Sequence, residues 1–275
     1  MKIYKYIYFL VLIFSSCTHR SDLIHTLTRK EHADLQNLLN YLLFENQGVF
    51  VLFGSKPISE VILHPRKTEE EEKKLFASLP EFLKTQIKIT HAPYDPYECW
   101  KTWKRKKDRY QIHDFLLVER NIENDFNSLS ILIINVKSVL RIFNKHYAYF
   151  KNLFGQDFDP IVEIHEIKFS ISAFWHCIFS DHIAKGLLFG YGEKNAESFA
   201  KMMQKDKKIE NFDFSNSENL EPFVASKRKF SIPQFRSFKD EQIIQIYQRE
   251  KEKIEEIYRN QDVVEITLKK LTGIL

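Results

Sequence analysis

Glycine is scarce, with seven in 275 residues. That excludes collagen-like and glycine-rich architectures, and no strand-like run leads into a glycine-rich phosphate loop of the dinucleotide or P-loop type. Three cysteines are too few for a disulfide scaffold. Charge of one sign is not in excess. Lys plus Arg is 41 against 37 for Asp plus Glu, a formal net charge of +4, without the bulk positive field of a nucleic-acid binder. No apolar run reaches the roughly 20 residues that a membrane-spanning helix needs. Internal repeats, His-Glu-x-x-His, Cys-x-x-Cys and Gly-x-Ser-x-Gly are all missing from the sequence. What is there is 44% apolar and 28% charged, the mix of an ordered globular protein. The 24 Phe and 12 Tyr, with abundant Lys, Ile and Asn, fit an AT-rich coding sequence better than a function.

The N-terminus has three parts. Lys2 and Lys5 are a positive flank, Tyr6 to Phe14 is a short apolar run, and Ser15-Ser16 stands before Cys17. This is the pattern of an export signal. The ending Ser15-Ser16-Cys17 resembles the lipobox of bacterial lipoproteins, with Phe14 where that family usually has Leu. The resemblance implies a diacylglyceryl group on the Cys17 thiol, cleavage after Ser16, acylation of the new amine and anchoring in a lipid bilayer. It also implies export to the cell envelope. Thr18 rather than Asp after the cysteine favours the outer membrane. Two or three acyl chains hold a protein stably where one is marginal. The match covers the first 17 residues only. Residues 1–16 then read as signal peptide and 17–28 as tether.

The body reads as α+β, with a small antiparallel sheet including a hairpin in the N-terminal half and helices in the C-terminal half. The parts are 29–135 and 136–275, taken together as one integrated domain. Thr28-Arg-Lys-Glu31 is a capping-box spacing ahead of the stripe Leu35, Leu38, Leu39 and Leu42. Val49–Phe53 and Ile58–Leu63, joined by Gly54-Ser-Lys-Pro57, read as a β-hairpin. Thr68-x-x-Glu71 opens a helix to Leu79, and a short helix follows Pro80 to about Lys88. His91 to Glu98 is a Pro/Tyr loop. Phe115–Glu119 and Ile131–Asn135 are two more strands, the second central because Ile131–Ile134 has no polar residue. Helices are expected over Val136–Phe154, from Asp159-Pro160, over Ser172–Phe189, Glu193–Gln204 and Phe238–Asn260, and from Asp262 to Gly273. Lys205 to Pro233 is polar and loop-like.

Three of the seven glycines fall in Gly186-Leu-Leu-Phe-Gly190-Tyr-Gly192-Glu193-Lys-Asn195. One reading is a sharp turn between helices, with Gly190 or Gly192 at positive φ. The other adds an anion or ligand site at Gly190, Gly192, Glu193 and Asn195, on the amides that open the next helix. This segment, with the C-terminal Glu250-Lys-Glu-Lys-Ile254, is similar to uncharacterised proteins of intracellular bacteria, which implies no activity.

Upstream, Trp175-His176-Cys177 and Asp181-His182 invite a thiol-nucleophile reading, and an enzyme would draw on Cys177, Asp181, His182 and Glu193. Geometry speaks for a packed core cysteine instead. His176 points about 100° from Cys177 on a helix, and a carboxylate four residues on raises a thiol pKa. His165 and His176 would lie roughly 16 Å apart along a straight helix, so no metal site and no cofactor is expected. Cys99 and Cys177 are open to one disulfide or two free thiols.

Lys104, Arg105, Lys106, Lys107 and Arg109, bracketed by Trp100, Trp103 and Tyr110, form a basic stretch. They read as a solvated helix end whose tryptophans pack inward, or as a surface for anionic lipid or another envelope polyanion. Lys56 and His113-Asp114 read as ordinary polar positions. The expected protein is a membrane-tethered envelope lipoprotein, non-enzymatic, that binds an envelope protein or an anionic surface. A periplasmic or secreted enzyme, and a secreted effector or cytosolic protein with an incidental Cys17, are the alternatives.

Overall fold

The computed structural model describes residues 26–78, 94–122, 125–169, 172–205, 230–233 and 241–275. The residues up to 25, read as signal peptide and most of the tether, the expected helix after Pro80 and most of the expected 205–233 loop lie outside them.

Thr28 opens the first helix, α1 (Arg29–Leu39), by the reciprocal bonds its spacing predicts. Its hydroxyl accepts from the Glu31 amide at 3.2 Å, and the Glu31 carboxylate accepts from the Thr28 amide at 2.8 Å. The stripe Leu35, Leu38 and Leu39 is buried, and a π-helical turn over Asn40–Glu45 carries it on through Leu42 and Leu43.

The expected hairpin at residues 49–63 is not formed. Val49–Phe53 is a short helix, α2, and its Val49, Phe50 and Val51 have no solvent exposure. An apolar run of five residues fits either period, and here it is walled in on all sides. Ile58–Leu63 is a strand, β1. A helix, α3, spans Glu69–Ser78 behind its Thr68–Glu71 cap. The Pro/Tyr loop ends earlier than expected. Asp95 caps and Pro96 starts α4 (Pro96–Lys106), the same Asp-Pro signal that was recognised at Asp159-Pro160. A 3₁₀ turn over Lys107–Arg109 follows α4.

Strands β2 (Phe115–Ile122) and β3 (Asp125–Asn135) complete an antiparallel sheet of order β1-β3-β2. Three strands are thus present among the described residues where four were read. Strand β3, apolar over Ile131–Ile134, is central, pairing Ile134 with Ile58 and Ile131 with Val61 on one side, and Leu132 with Val118 on the other.

The expected helix over 136–154 is two, α5 (Val136–Lys145) and α6 (Tyr147–Phe154), parted at His146, whose backbone leaves the helical region. Helix α7 spans Pro160–Glu166. The segment 172–189 is likewise two helices, α8 (Ala173–Ser180) and α9 (His182–Leu188), because Asp181 is extended and caps the second. Asp is a stronger cap than helix former. Then come α10 (Glu193–Lys205), α11 (Glu241–Tyr258) and α12 (Val263–Leu271).

The architecture is α+β, with helices on both faces of the small sheet. Val61, Leu63, Ile131 and Ile133 face a core shared with α1, α2, α4, α11 and α12. Ile58, Leu132 and Ile134 face a second core of Phe143, Phe150, Phe158, Phe174 and Trp175 from α5 to α8. The layering does not follow a boundary at residue 135, since α11 and α12 return to the face that the N-terminal helices cover. Most of the aromatic excess is accounted for here, in edge-to-face and stacked contacts such as Phe143 on Phe150 at 4.9 Å and Phe154 on Phe174 at 5.4 Å.

Candidate functional site

The glycine segment is a tightly locked joint. Gly190 and Gly192 both have positive φ, 77° and 84°. A Cβ on Gly190 would lie 2.4 Å from the Tyr247 hydroxyl and 3.2 Å from Cγ of Lys56. The same Tyr247 hydroxyl donates to the Gly190 carbonyl at 2.7 Å. Asn195 is buried, and its side-chain amide donates to the Tyr191 carbonyl at 2.9 Å. Gly186 lets α9 and α10 close up, since a Cβ there would meet that of Ala196 at 2.5 Å. Glu193 is exposed, facing Lys145 at 3.3 Å and His146 at 4.0 Å. So of the four residues that the ligand reading would use, three build the turn and Glu193 lies outside it.

The joint carries a group that sequence reasoning passed over. Lys56, in the loop between α2 and β1, is 95% buried, and its ammonium donates to the Ser59 hydroxyl at 3.3 Å. Ser59 in turn donates to the Asn46 carbonyl at 3.2 Å. Burial pulls the Lys56 amine down to about 8. Close by, Glu250 of α11 accepts from the Ser55 amide at 2.9 Å, while its second carboxylate oxygen is buried and has no partner among the described residues. Burial raises the Glu250 pKa and, with the nearby Glu60 carboxylate, that of Tyr191. Lys56 sits in a Gly-Ser-Lys-Pro stretch that looks like an exposed turn. Nothing local distinguishes a buried lysine from a solvated one, because what covers it comes from the Gly190 turn and from Tyr247 of α11.

The basic stretch is built on α4. Trp100 and Trp103 turn inward as expected, Trp100 donating to Glu119 at 2.9 Å and Trp103 stacking on Tyr110 at 4.8 Å. Lys104 pairs with Glu119 at 2.9 Å, and Lys106 pairs with Glu31 of α1. Arg105 donates to Thr102 at 3.2 Å. Arg105, Lys107 and Arg109 are exposed and in no ion pair among the described residues. Beneath them lies a cavity of about 20 Å³, whose wall includes Leu27, Glu31, Cys99, Trp103, Lys106 and Tyr110. The Trp103 ring N–H is buried without a partner among the described residues. Desolvation and nearby Asp34 push the Cys99 thiol up to about 11, away from reactive thiolate.

Asp181 and His182 of the thiol-nucleophile reading make structural contacts. Cys177 and Cys99 are free thiols. Asp181 is engaged in holding α9, accepting from the Ala184 amide at 2.7 Å and the Tyr149 hydroxyl at 2.5 Å. The His182 ring packs edge-on against Phe199. His113 and Asp114 stay apart in role, Asp114 pairing with Lys137 at 2.6 Å. Among the described residues no three His, Cys, Asp or Glu side chains gather as metal ligands, and no helix is long and apolar enough to cross a membrane. The basic end of α4 and the Lys56 joint are two places where charge is arranged unusually. Comparison with protein families, with characterised proteins and with solved structures finds no match to this chain.

Proposed function

We propose that this chain is a lipid-anchored protein of the bacterial envelope whose α+β body serves as a binding module. The observation that carries the reading is the order Lys2, Lys5, Tyr6–Phe14, Ser15-Ser16-Cys17 directly ahead of a body that begins at the Thr28 cap. The chemistry of the body supports it. The carboxylate, amide and imidazole groups of residues 181, 182 and 195 serve capping, turn closure and ring packing. The sheet has an aromatic core on each face, a rigid support for surface contacts. Growing cells with an alkyne fatty acid tests the anchor. Label on the wild-type chain that disappears in Cys17→Ser is the expected result, and an unlabelled wild-type chain, or equal label on both, overturns it.

A further inference from the structure

We propose that the exposed cations at the end of α4, with Arg29 and Lys30 at the start of α1, form the face that docks the body on an anionic bilayer. The proposal rests on the lipid-anchor reading and specifies which side of the body meets the lipid.

The placement follows from how α1 and α4 pack. They run antiparallel. Glu31, in the first turn of α1, pairs with Lys106 in the last turn of α4, while Asp34, one turn further along α1, lies near Cys99 of α4. The start of α1 is therefore beside the end of α4. Leu27, which precedes the α1 cap, shares a cavity wall with Lys106, Trp103 and Tyr110. The chain thus enters the body at its basic corner.

Charge and reach then select the partner. Arg29, Lys30, Arg105, Lys107 and Arg109 are exposed and outside any ion pair among the described residues, with Asp108 the one carboxylate inside the basic stretch. The remaining two cations of the stretch, Lys104 and Lys106, are balanced by Glu119 and Glu31. Cys17 and Thr28 are 11 residues apart. Such a tether spans at most about 40 Å fully extended and about 20 Å as a coil. A lipid on Cys17 holds this corner within reach of the headgroups, so the cations act at high effective concentration on the bilayer. Each Lys or Arg at an anionic surface strengthens attachment about fivefold. Trp100 and Trp103 are buried and lend no insertion, so the docking is electrostatic and weakens with salt.

The test uses the full acylated chain on vesicles of phosphatidylcholine alone and of phosphatidylcholine with phosphatidylglycerol. Flotation in high salt reports the anchor, and labelling with a water-soluble amine reagent at low salt reports the docked face. The expected result is flotation with both vesicles and slower labelling of Lys104 and Lys107 on the anionic ones, with Lys201 on α10 unchanged. The triple variant Arg105→Gln, Lys107→Gln, Arg109→Gln should weaken docking roughly a hundredfold and return Lys104 to its rate on neutral vesicles. Flotation with equal labelling of Lys104 on both vesicles overturns the docking face and leaves the anchor standing. Loss of flotation from neutral vesicles overturns the anchor. The docking face then stands only if anionic vesicles still bind the chain and shield Lys104, and falls if they do not.

Discussion

At the scale of single residues, Lys56 is a lysine that departs from its type by being buried. An ammonium in water titrates near 10.5, and burial lowers this one to about 8. The unfolded chain therefore binds a proton that the folded chain does not between about pH 8 and 10.5, so this group makes stability rise with pH across that window. Below pH 8 the full cost of the buried charge is carried. Lys56→Met removes the charge and keeps the stem that packs on Gly190. The variant should melt several degrees higher than wild type at pH 7, with the gap closing toward pH 10. Thermal melts of both chains at several pH values check this, and a lower melting temperature for Lys56→Met at pH 7 would contradict it. The glycine joint makes a second residue-level prediction. Gly190→Ala forces an L side chain into positive φ and against a phenolic oxygen, and should lose about 2 kcal/mol or more. Asn195→Ala uncaps the Tyr191 carbonyl and should lose about 1–3 kcal/mol. Glu193→Gln removes only exposed ion pairs and should stay within about 0.5 kcal/mol of wild type. A large loss at Glu193 with a silent Asn195 would reverse the assignment of turn and surface.

At the scale of elements, caps were legible and partners were not. Thr28, Thr68, Asp159 and Asp262 announce helices by local chemistry, and each helix is there. Strand β3 could be placed at the sheet centre from its Ile131–Ile134 run, because a stretch buried on both faces needs no alternation. Val49–Phe53 could not be resolved, since five apolar residues carry no period. Its helical form is settled from far away. Asn135 at the end of β3 donates to the Val51 carbonyl at 3.1 Å, and the Phe50 carbonyl accepts from the Lys56 amide at 3.2 Å. The break at Asp181 is partly local, through its own cap on Ala184, and partly supported from another helix by the Tyr149 hydroxyl. Of the candidate site, the glycine turn and the inward tryptophans of α4 were readable from type and spacing. The Lys56 joint was not, because its walls are assembled from three distant segments. If the Asn135 side chain does fix α2, then Asn135→Ala frees the Val51 carbonyl and also uncaps α5, whose Ser138 amide it accepts at 3.0 Å. A loss of about 2 kcal/mol or more is expected in urea unfolding, above the roughly 1 kcal/mol of a cap alone.

At the scale of the whole molecule, one small sheet serves two cores, so neither face has a hydrophobic interior without it. Substitutions on opposite faces should therefore act on one transition. Leu268→Ala on the α12 side and Phe143→Ala on the α5 side each empty a buried site and should each lose about 2–5 kcal/mol. Two separate melting steps, with each variant shifting only one, would show that the layers fold apart. We expect such a body to fold without lipid, since its own side chains supply both cores. Under the proposed anchor, the acyl group would decide where the molecule works and which corner faces the bilayer. Cleavage after Ser16 would remove 16 of the 275 residues, leaving 259, and would take Lys2 and Lys5 with it, lowering the formal charge from +4 to +2. The most direct measurement of that account is mass spectrometry of the N-terminal peptide of the chain purified from membranes. The account predicts a peptide beginning at Cys17 whose mass exceeds that of its residues by a diacylglyceryl group and an amide-linked acyl chain. A peptide that begins at Met1, or at any residue other than Cys17, or an unmodified Cys17, would contradict it.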